Sequence, residues 1–97
     1  MNEVKLYVDE KGHGDFFLSA TGEKIATMQI GIHGNELTVY HTEVCESHQG
    51  KGLAKKMMLT MVDYARKNNF KVIALCPYVF AQFKGHPKEF SDIWDNH

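Results

Sequence analysis

The sequence predicts an α+β fold: an antiparallel meander of four strands, a long helix, a fifth strand parallel to the fourth, and a short C-terminal helix. Three observations favour this fold. Strand-like segments separated by turn signals occupy the chain up to Val44, apolar residues then recur at helical spacing, and a short apolar run follows that helix. A chain of 97 residues suits one domain, so residues 1–97 are expected to share a single core.

The meander is predicted from four short segments: Val4, Leu6 and Val8 alternate with polar neighbours in the first, and the third is rich in Ile, Thr and Met. Glycine-containing turns separate these segments, and turns of this kind connect antiparallel strands. The predicted strands are Val4 to Val8, Phe16 to Leu18, Lys24 to Ile32 and Glu36 to Val44.

The clearest helix runs from about Gly50 to Asn68. Its apolar residues recur three and four positions apart, so they form one stripe that packs on a core. The short apolar run from Lys71 to Leu75 predicts a buried strand. Because a helix separates it from the fourth strand, the two strands are expected to run parallel.

The C-terminal quarter of the chain is predicted to be helical and docked. Pro77 ends the fifth strand, and a short helix is expected from Tyr78 to Lys84. In the tail from Pro87 to His97, three apolar residues are spaced to pack on the core as one turn: Phe90, Ile93 and Trp94.

Composition excludes several classes of protein. Eleven basic and twelve acidic side chains give a net charge of −1, which argues against a general nucleic-acid binder. Two cysteines are too few for a disulfide scaffold. No run approaches 18 apolar residues and the first residues contain no apolar leader, so we expect a protein that is cytoplasmic, reduced and independent of membranes. A monomer is the expected state.

The most informative segment joins the fourth strand to the long helix. It reads Gln49-Gly50-Lys51-Gly52-Leu53-Ala54. Two glycines at this junction allow positive φ and close approach of a ligand, and the first turn of the helix offers unpaired N–H groups to an anion. The spacing is neither that of a P-loop nor that of a dinucleotide fingerprint, and the glycines also suit an ordinary loop before a helix.

The same segment matches the Gln/Arg-x-x-Gly-x-Gly/Ala signature of the GCN5-related N-acetyltransferases, which this chain resembles. A compact branch of that family has the same order of short segments, so the resemblance extends over roughly Phe16 to Phe90. It implies transfer of an acyl group from acetyl-CoA to an amine, carried by a small molecule or a protein. The matching segments are His41 to Val44, the glycine loop, Cys76 to Tyr78, and His86 with Pro87.

The resemblance also implies which residues hold coenzyme A. Main-chain groups of Val44 and Cys45 would hold the pantetheine arm and polarise the acyl carbonyl. Backbone N–H groups would bind the diphosphate, and they belong to Gln49, Gly50, Lys51, Gly52, Leu53, Ala54 and Lys55.

Amine acetylation needs a base that accepts a proton from the amine. Side chains alternate along a strand, so His41, Glu43 and Cys45 are expected on one face and Tyr40 on the other, with Thr42 and Val44. Glu43 is the first candidate for the base because it lies just before the loop, and His41 is the second. Each also suits a structural role: Glu43 as a partner of a nearby lysine, and His41 as a half-buried, hydrogen-bonded residue.

Cys76 is a third catalytic candidate, because it ends the fifth strand, where open α/β sheets present ligands. The resemblance implies that it lies close to the acyl group, as an acyl acceptor or acid. A free cysteine is also often a small buried hydrophobe. The larger family has a tyrosine acid on the following helix, where Phe83 stands in this chain, and Tyr78 is the nearest substitute.

Two other functions compete with acyl transfer. The fold could hold a CoA species without turnover, as a binding module. A zinc site could instead form from His41, Cys45 and His48, with Cys76 as a fourth ligand. The spacing disfavours zinc because His48 lies in the loop needed for phosphate, so we predict no metal.

Overall fold

The computed structural model describes residues 3–95, in which five strands form one mixed sheet. The first four strands pair antiparallel in chain order, and the fifth pairs parallel with the fourth, as the sequence predicts. The strands are β1 (Lys5–Val8), β2 (His13–Ala20), β3 (Glu23–His33), β4 (Glu36–Val44) and β5 (Lys71–Ala74).

Three helices accompany the sheet: α1 (Leu53–Lys67), α2 (Pro77–Gly85) and α3 (Pro87–Phe90). Helix α1 begins later than predicted because Gly50 and Gly52 adopt positive φ and belong to the preceding loop. None of these helices, in the part of the chain that the structure describes, is long and apolar enough to cross a membrane.

Helix α1 packs on one face of the sheet and forms the core with it. Its methionine stripe is fully buried, as the apolar spacing predicts. Burying a side chain of this size contributes about 1.5–3 kcal/mol relative to leaving it exposed. The opposing residues of the sheet are Phe16, Leu18, Met28, Ile30, Leu37 and Val39.

The tail docks on β5, as predicted, and also covers its outer edge. Phe90 and Ile93 are 2% and 3% exposed, and Trp94 forms a parallel bridge with Val72. The Val72 N–H donates to the Ile93 carbonyl at 2.6 Å, which satisfies an edge group that would otherwise be open to another strand. Asn96 and His97, which the predicted tail includes, lie outside the described residues.

Strands β4 and β5 separate after four paired residues. Their pairing ends at Val39 and Ala74, where the Val39 carbonyl accepts hydrogen bonds from the N–H groups of Leu75 and Cys76 at 3.0 and 2.9 Å. Pro77 then begins α2, because it fixes φ and its missing N–H costs nothing in a first helical turn. Strand β4 continues to Val44 with β3 as its sheet partner.

A bulge in β4 corrects one prediction. The pairing passes from Ile30–Val39 to Gln29–His41, so Tyr40 is an extra residue in the ladder. Tyr40 is half exposed, and its ring lies over the open position of Gly31, where an added Cβ would be 3.0 Å away. The prediction that Tyr40 shares a face with Thr42 and Val44 is therefore wrong, because a period of two does not continue across a bulge.

The tail is also fastened to α1 by an ion pair. The Arg66 guanidinium donates to both carboxylate oxygens of Asp92, at 2.9 and 3.2 Å, and to the Glu89 carbonyl at 2.7 Å. The hydrogen bond from Arg66 holds the pKa of Asp92 below its ordinary value of 3.8. Stability from this group is therefore present above pH 3.8 and is lost as the pH falls through the lower pKa of the folded state.

We predict that a double-mutant cycle of Arg66→Ala and Asp92→Ala gives a coupling energy of about 0.2–1 kcal/mol at pH 7, the range of exposed pairs. Urea unfolding measures the four free energies. Repeating the cycle well below pH 3.8 should bring the coupling close to zero, because Asp92 is then neutral. An unchanged coupling at low pH would contradict the ion pair.

Candidate active site

The loop between β4 and α1 leaves open space above its two glycines. A short 3₁₀ turn, Glu46–His48, follows Cys45 and leads to Gln49. Gly50 and Gly52 have φ of 82° and 73°, and a Cβ built on either would meet nothing within 4 Å. The sequence therefore needs glycine here for backbone conformation, and this conformation also leaves the start of α1 uncovered.

Main-chain donors cluster at this uncovered start. Among the described residues, no N–H from residue 50 to 55 has a hydrogen-bond partner, and the first helical bond runs from the Lys56 N–H to the Gly52 carbonyl at 3.0 Å. Gly52 is the N-cap and supplies no side-chain acceptor. A helix start with free donors carries roughly half a positive charge, which favours an anionic ligand.

These donors line a groove of about 370 Å³, called here the loop groove. It lies beside the segment of β4 that has left β5. Its lining residues are Val44, His48, Gln49, Gly50, Gly52, Leu53, Ala54, Lys55 and Tyr78. The structure thus brings seven of the nine residues predicted to hold the cofactor into one groove with part of the 3₁₀ turn and the first turn of α2.

Val44 offers the loop groove a main-chain donor. The Cys45 N–H donates to the Ile25 carbonyl at 2.7 Å, toward β3. Successive N–H groups of a strand point to opposite sides, so the Val44 N–H points away from β3. The Val44 carbonyl accepts a hydrogen bond from the Gln49 side chain at 3.3 Å, which holds the loop against the end of the strand.

Cys45 is arranged differently from Val44. Its N–H binds Ile25 and its carbonyl accepts from the His48 N–H at 2.9 Å, so both main-chain groups have partners within the protein. Its thiol is exposed. The side chain of Cys45 is therefore the part of this residue that remains available to a ligand.

A second groove of about 480 Å³, called here the strand groove, lies along the ends of β3 and β4. It shares Val44 and Gln49 with the loop groove, so the two grooves adjoin. Its lining residues are Lys24, Ile25, Ala26, Thr27, Glu43, Val44, Cys45, Glu46 and Gln49.

The two candidate bases differ in where they lie. The side chains of His41 and Glu43 are 58% and 66% exposed, with His41 Nε2 and Glu43 Oε2 4.0 Å apart. Glu43 lines the strand groove, whereas His41 lies outside both grooves. The carboxylate is therefore the one that an amine in the strand groove can reach.

Cys76 is buried at the point where the two strands separate. Its side chain is 2% exposed, and Sγ lies 3.2 Å from the Thr42 hydroxyl. This contact joins Cys76 to Thr42, which lies in the part of β4 that no longer pairs with β5. Chemistry at the Cys76 thiol would require an opening between Thr42 and α2.

Tyr78 has a more central place in the site than its position in the sequence indicates. It lies two positions after Cys76, at the start of α2, and lines the loop groove. Burial, together with the nearby Cys76, raises the pKa of its phenol above 10.0, so the hydroxyl keeps its proton at neutral pH. Phe83 is fully buried in the core against Phe90 and Trp94, and so lies away from both grooves.

The site suits a diphosphate-containing ligand better than a metal ion. The donor-rich groove offers free N–H groups at the start of α1 and an open strand edge, which suit an anionic ligand with hydrogen-bonding groups along its length. Within residues 3–95, no three histidine, cysteine or carboxylate side chains converge to hold a metal. The zinc alternative therefore has no geometric support.

The fold and the glycine loop have the form that the resemblance to the GCN5-related N-acetyltransferases implies. The model of the GCN5-related N-acetyltransferase family matches residues 15–93, and the chain belongs to that family. This span agrees with the extent of the resemblance, which begins near Phe16 and ends near Phe90.

Individual relatives share the fold at low sequence identity. A GCN5-like protein of Staphylococcus aureus is 23% identical with a TM-score of 0.70, covering 96% of this chain and 89% of that protein. A ribosomal-protein-alanine N-acetyltransferase of Brucella melitensis is 15% identical with a TM-score of 0.69, covering 100% and 93%.

Among curated proteins, N-acetyltransferase 8B of Rattus norvegicus is 25% identical over 83 residues. The match covers 74% of this chain and 35% of the relative, so this chain spans about a third of that protein's length. The similarity therefore covers a part of the relative and leaves its remaining two thirds without a counterpart here.

We predict that Gly52→Asp abolishes CoA binding, because a carboxylate would stand among the donors that face the diphosphate. Gly34→Asp is the matched control, since Gly34 has φ of 60°, equally open surroundings, and a place in the β3–β4 turn at the other end of β4. Isothermal titration calorimetry measures both affinities, and circular dichroism checks both folds. Equal affinity of a folded Gly52→Asp protein and the control would contradict the assignment of the loop.

Proposed function

We propose that this protein is an acetyl-CoA-dependent N-acyltransferase that transfers an acetyl group to an amine. The observation that carries the proposal is the row of unpartnered N–H groups from residue 50 to 55, which opens into a groove beside the free part of β4. Acetyl-CoA supplies an activated acyl group.

The loop groove holds the cofactor. The N–H groups of residues 50–55 bind the diphosphate, and each bond to a charged acceptor contributes about 1.5–3 kcal/mol before desolvation. The Val44 N–H binds the arm and polarises the acyl carbonyl, because it points into the space that β5 vacates. Cys45 contributes its exposed side chain to the wall of the adjoining strand groove.

Glu43 is the base. It lines the strand groove and leaves its carboxylate accessible, so an ammonium group that enters there meets an acceptor for its proton. His41 lies 4.0 Å away and outside the groove, which supports a secondary role such as orienting the carboxylate.

Tyr78 is the proton donor to the departing thiolate. Its phenol lines the loop groove and stays protonated at neutral pH, as a general acid must. Cys76 lies next to it but is buried against Thr42, so the proposal gives Tyr78 precedence over Cys76 for this role. A chemical role for Cys76 remains a prediction that requires movement of α2.

The acceptor is an amine on a small molecule or on a protein. The strand groove is open along its length, so a primary amine on either kind of acceptor could reach Glu43. CoA binding without turnover is the second candidate function. One observation favours it: Phe83, in the region of the family's usual tyrosine acid, is an apolar core residue without a hydroxyl.

We expect Glu43→Gln to lower kcat/KM for a primary amine about 10²–10⁴-fold, because the amide cannot accept the proton. CoA affinity should stay unchanged, since the substitution lies outside the loop groove. His41→Gln is the matched control and should reduce turnover far less. A thiol-release assay with excess amine measures both, and full activity of Glu43→Gln would remove Glu43 from the mechanism.

Tyr78→Phe removes one hydroxyl and keeps the ring in the groove. We predict that kcat falls while the affinity for acetyl-CoA is preserved, and that the loss shrinks with an acyl thioester whose leaving thiol is more acidic. A thioester series in steady-state kinetics tests this dependence. Loss of activity that is independent of the leaving group would assign Tyr78 a packing role.

A further inference from the structure

The tail beyond α3 fastens Trp94 to the edge of β5. The Ile93 carbonyl accepts a hydrogen bond from the Val72 N–H at 2.6 Å, and the Val72 carbonyl accepts one from the Asp95 N–H at 2.9 Å. Trp94 lies between these two hydrogen bonds and forms a parallel bridge with Val72, which is fully buried in the sheet. The main chain of Trp94 is therefore held to the sheet on both sides.

The Trp94 ring in turn packs against α2. It meets Phe80 edge-on with ring centroids 5.8 Å apart and an interplanar angle of 79°, and it meets Phe83 edge-on at 5.8 Å and 65°. Edge-to-face contact is a favoured arrangement of aromatic pairs. Because Phe80 and Phe83 are three positions apart in the helix, they are neighbours on its surface and the indole supports α2 over about one turn.

This contact lies on a different side of α2 from the core. Val79 and Phe83 point inward and are fully buried, whereas Phe80 is 43% exposed. Two inward side chains set the depth of a short helix on the core, and a contact on another side limits rotation of the helix about its axis. Trp94 is therefore placed to fix the rotation of α2 relative to β5.

The rotation of α2 matters to the site because Tyr78 lies in its first turn. The Tyr78 side chain lines the loop groove, two positions before Phe80. Its hydroxyl lies at the end of a long side chain, so a small rotation of the helix moves it by a distance that matters to proton transfer. Trp94 itself lies outside both grooves and can affect the hydroxyl only through α2.

We propose that Trp94 is a positioning residue for acyl transfer: through Phe80 and Phe83 it sets the rotation of α2, and thereby the place of the Tyr78 hydroxyl in the loop groove. The inference rests on the proposed function, in which Tyr78 donates a proton to the departing thiolate. It assigns the tail a part in the reaction in addition to covering the edge of β5.

Trp94→Leu removes the ring and keeps an apolar side chain beside β5. We expect kcat to fall by up to about 10²-fold, the cost that a misplacement of about 1 Å can have, and the affinity for CoA to stay unchanged because residues 50–55 are not moved. The loss should shrink with thioesters of more acidic thiols, as for Tyr78→Phe. The double variant should be no slower than Tyr78→Phe alone, and Trp94→Phe, which keeps a ring, should restore most of kcat.

Tyr64→Leu is the matched control. Tyr64 is also a half-buried aromatic residue that packs against two rings, at 5.7 Å from Phe16 and 5.9 Å from Phe70, but these rings belong to β2 and to the segment before β5. Its loss should lower the free energy of unfolding in urea and leave kcat unchanged. A fall in kcat that merely follows stability would therefore appear in both variants, and this outcome would overturn the proposal.

Phe80→Leu removes the other half of the contact. Because Phe80 is partly exposed, this variant keeps the core intact and tests the proposal even where Trp94→Leu does not fold. It should lower kcat with the same dependence on the leaving thiol. A loss that is equal for every thioester, or that multiplies with the loss in Tyr78→Phe, would overturn the proposal.

A readout without turnover separates this inference from the proposed function. Burial raises the pKa of the Tyr78 phenol above 10.0, and ¹³C chemical shifts of labelled tyrosine against pH measure that pKa, with Tyr78→Phe as the assignment. Trp94→Leu and Phe80→Leu should lower the pKa toward 10.0, because a displaced α2 exposes the ring, and Tyr64→Leu should not.

The two failures are then distinct. If the pKa of Tyr78 responds to Trp94→Leu but the wild-type protein transfers no acetyl group to any amine, the proposed function fails and the placement of Tyr78 by Trp94 stands. If the wild-type protein transfers acetyl groups but both variants at the contact keep the wild-type pKa of Tyr78, the placement is overturned and the proposed function stands.

Discussion

The separation of β4 from β5 after Val39 is the constraint on which the site depends. One carbonyl accepts two N–H groups there, α2 begins at Pro77, and β4 continues with its second edge free of β5. A strand edge without its neighbour presents donors and acceptors that a ligand can satisfy. The loop groove, Val44 and Tyr78 all lie around this opening, so the candidate chemistry follows from where a parallel pair of strands ends.

The elements of the fold follow from patterns of short range. The hairpin turn before Glu36 and the glycine loop after Val44 set the limits of β4, and helical spacing identifies α1, because burial of one face gives a helix its period. The order of the sheet follows from short connections and from the helix between β4 and β5. Local irregularities could not be predicted from the sequence. The extra residue at Tyr40 and the bridge between Trp94 and Val72 depend on contacts between distant segments.

In the candidate site, too, one part could be predicted from the sequence and another could not. The glycine loop could be predicted because backbone conformation itself requires glycine at positive φ, and the structure has that conformation at both positions. The roles of the side chains could not be predicted, because they depend on how exposed each side chain is and on which residues contact it. Cys76 was the more prominent cysteine in the sequence, yet the structure buries its thiol and exposes that of Cys45 beside Ser47.

The proposed function depends on main-chain donors at the start of α1 that face a diphosphate. Titration of the ¹⁵N-labelled protein with acetyl-CoA, followed by amide chemical shifts, tests this arrangement. We expect saturable shifts at Val44 and at residues 49–55, with the amide of Gly34 unchanged. Saturable binding whose shifts avoid the loop, or no shifts at all from a folded protein, would contradict it.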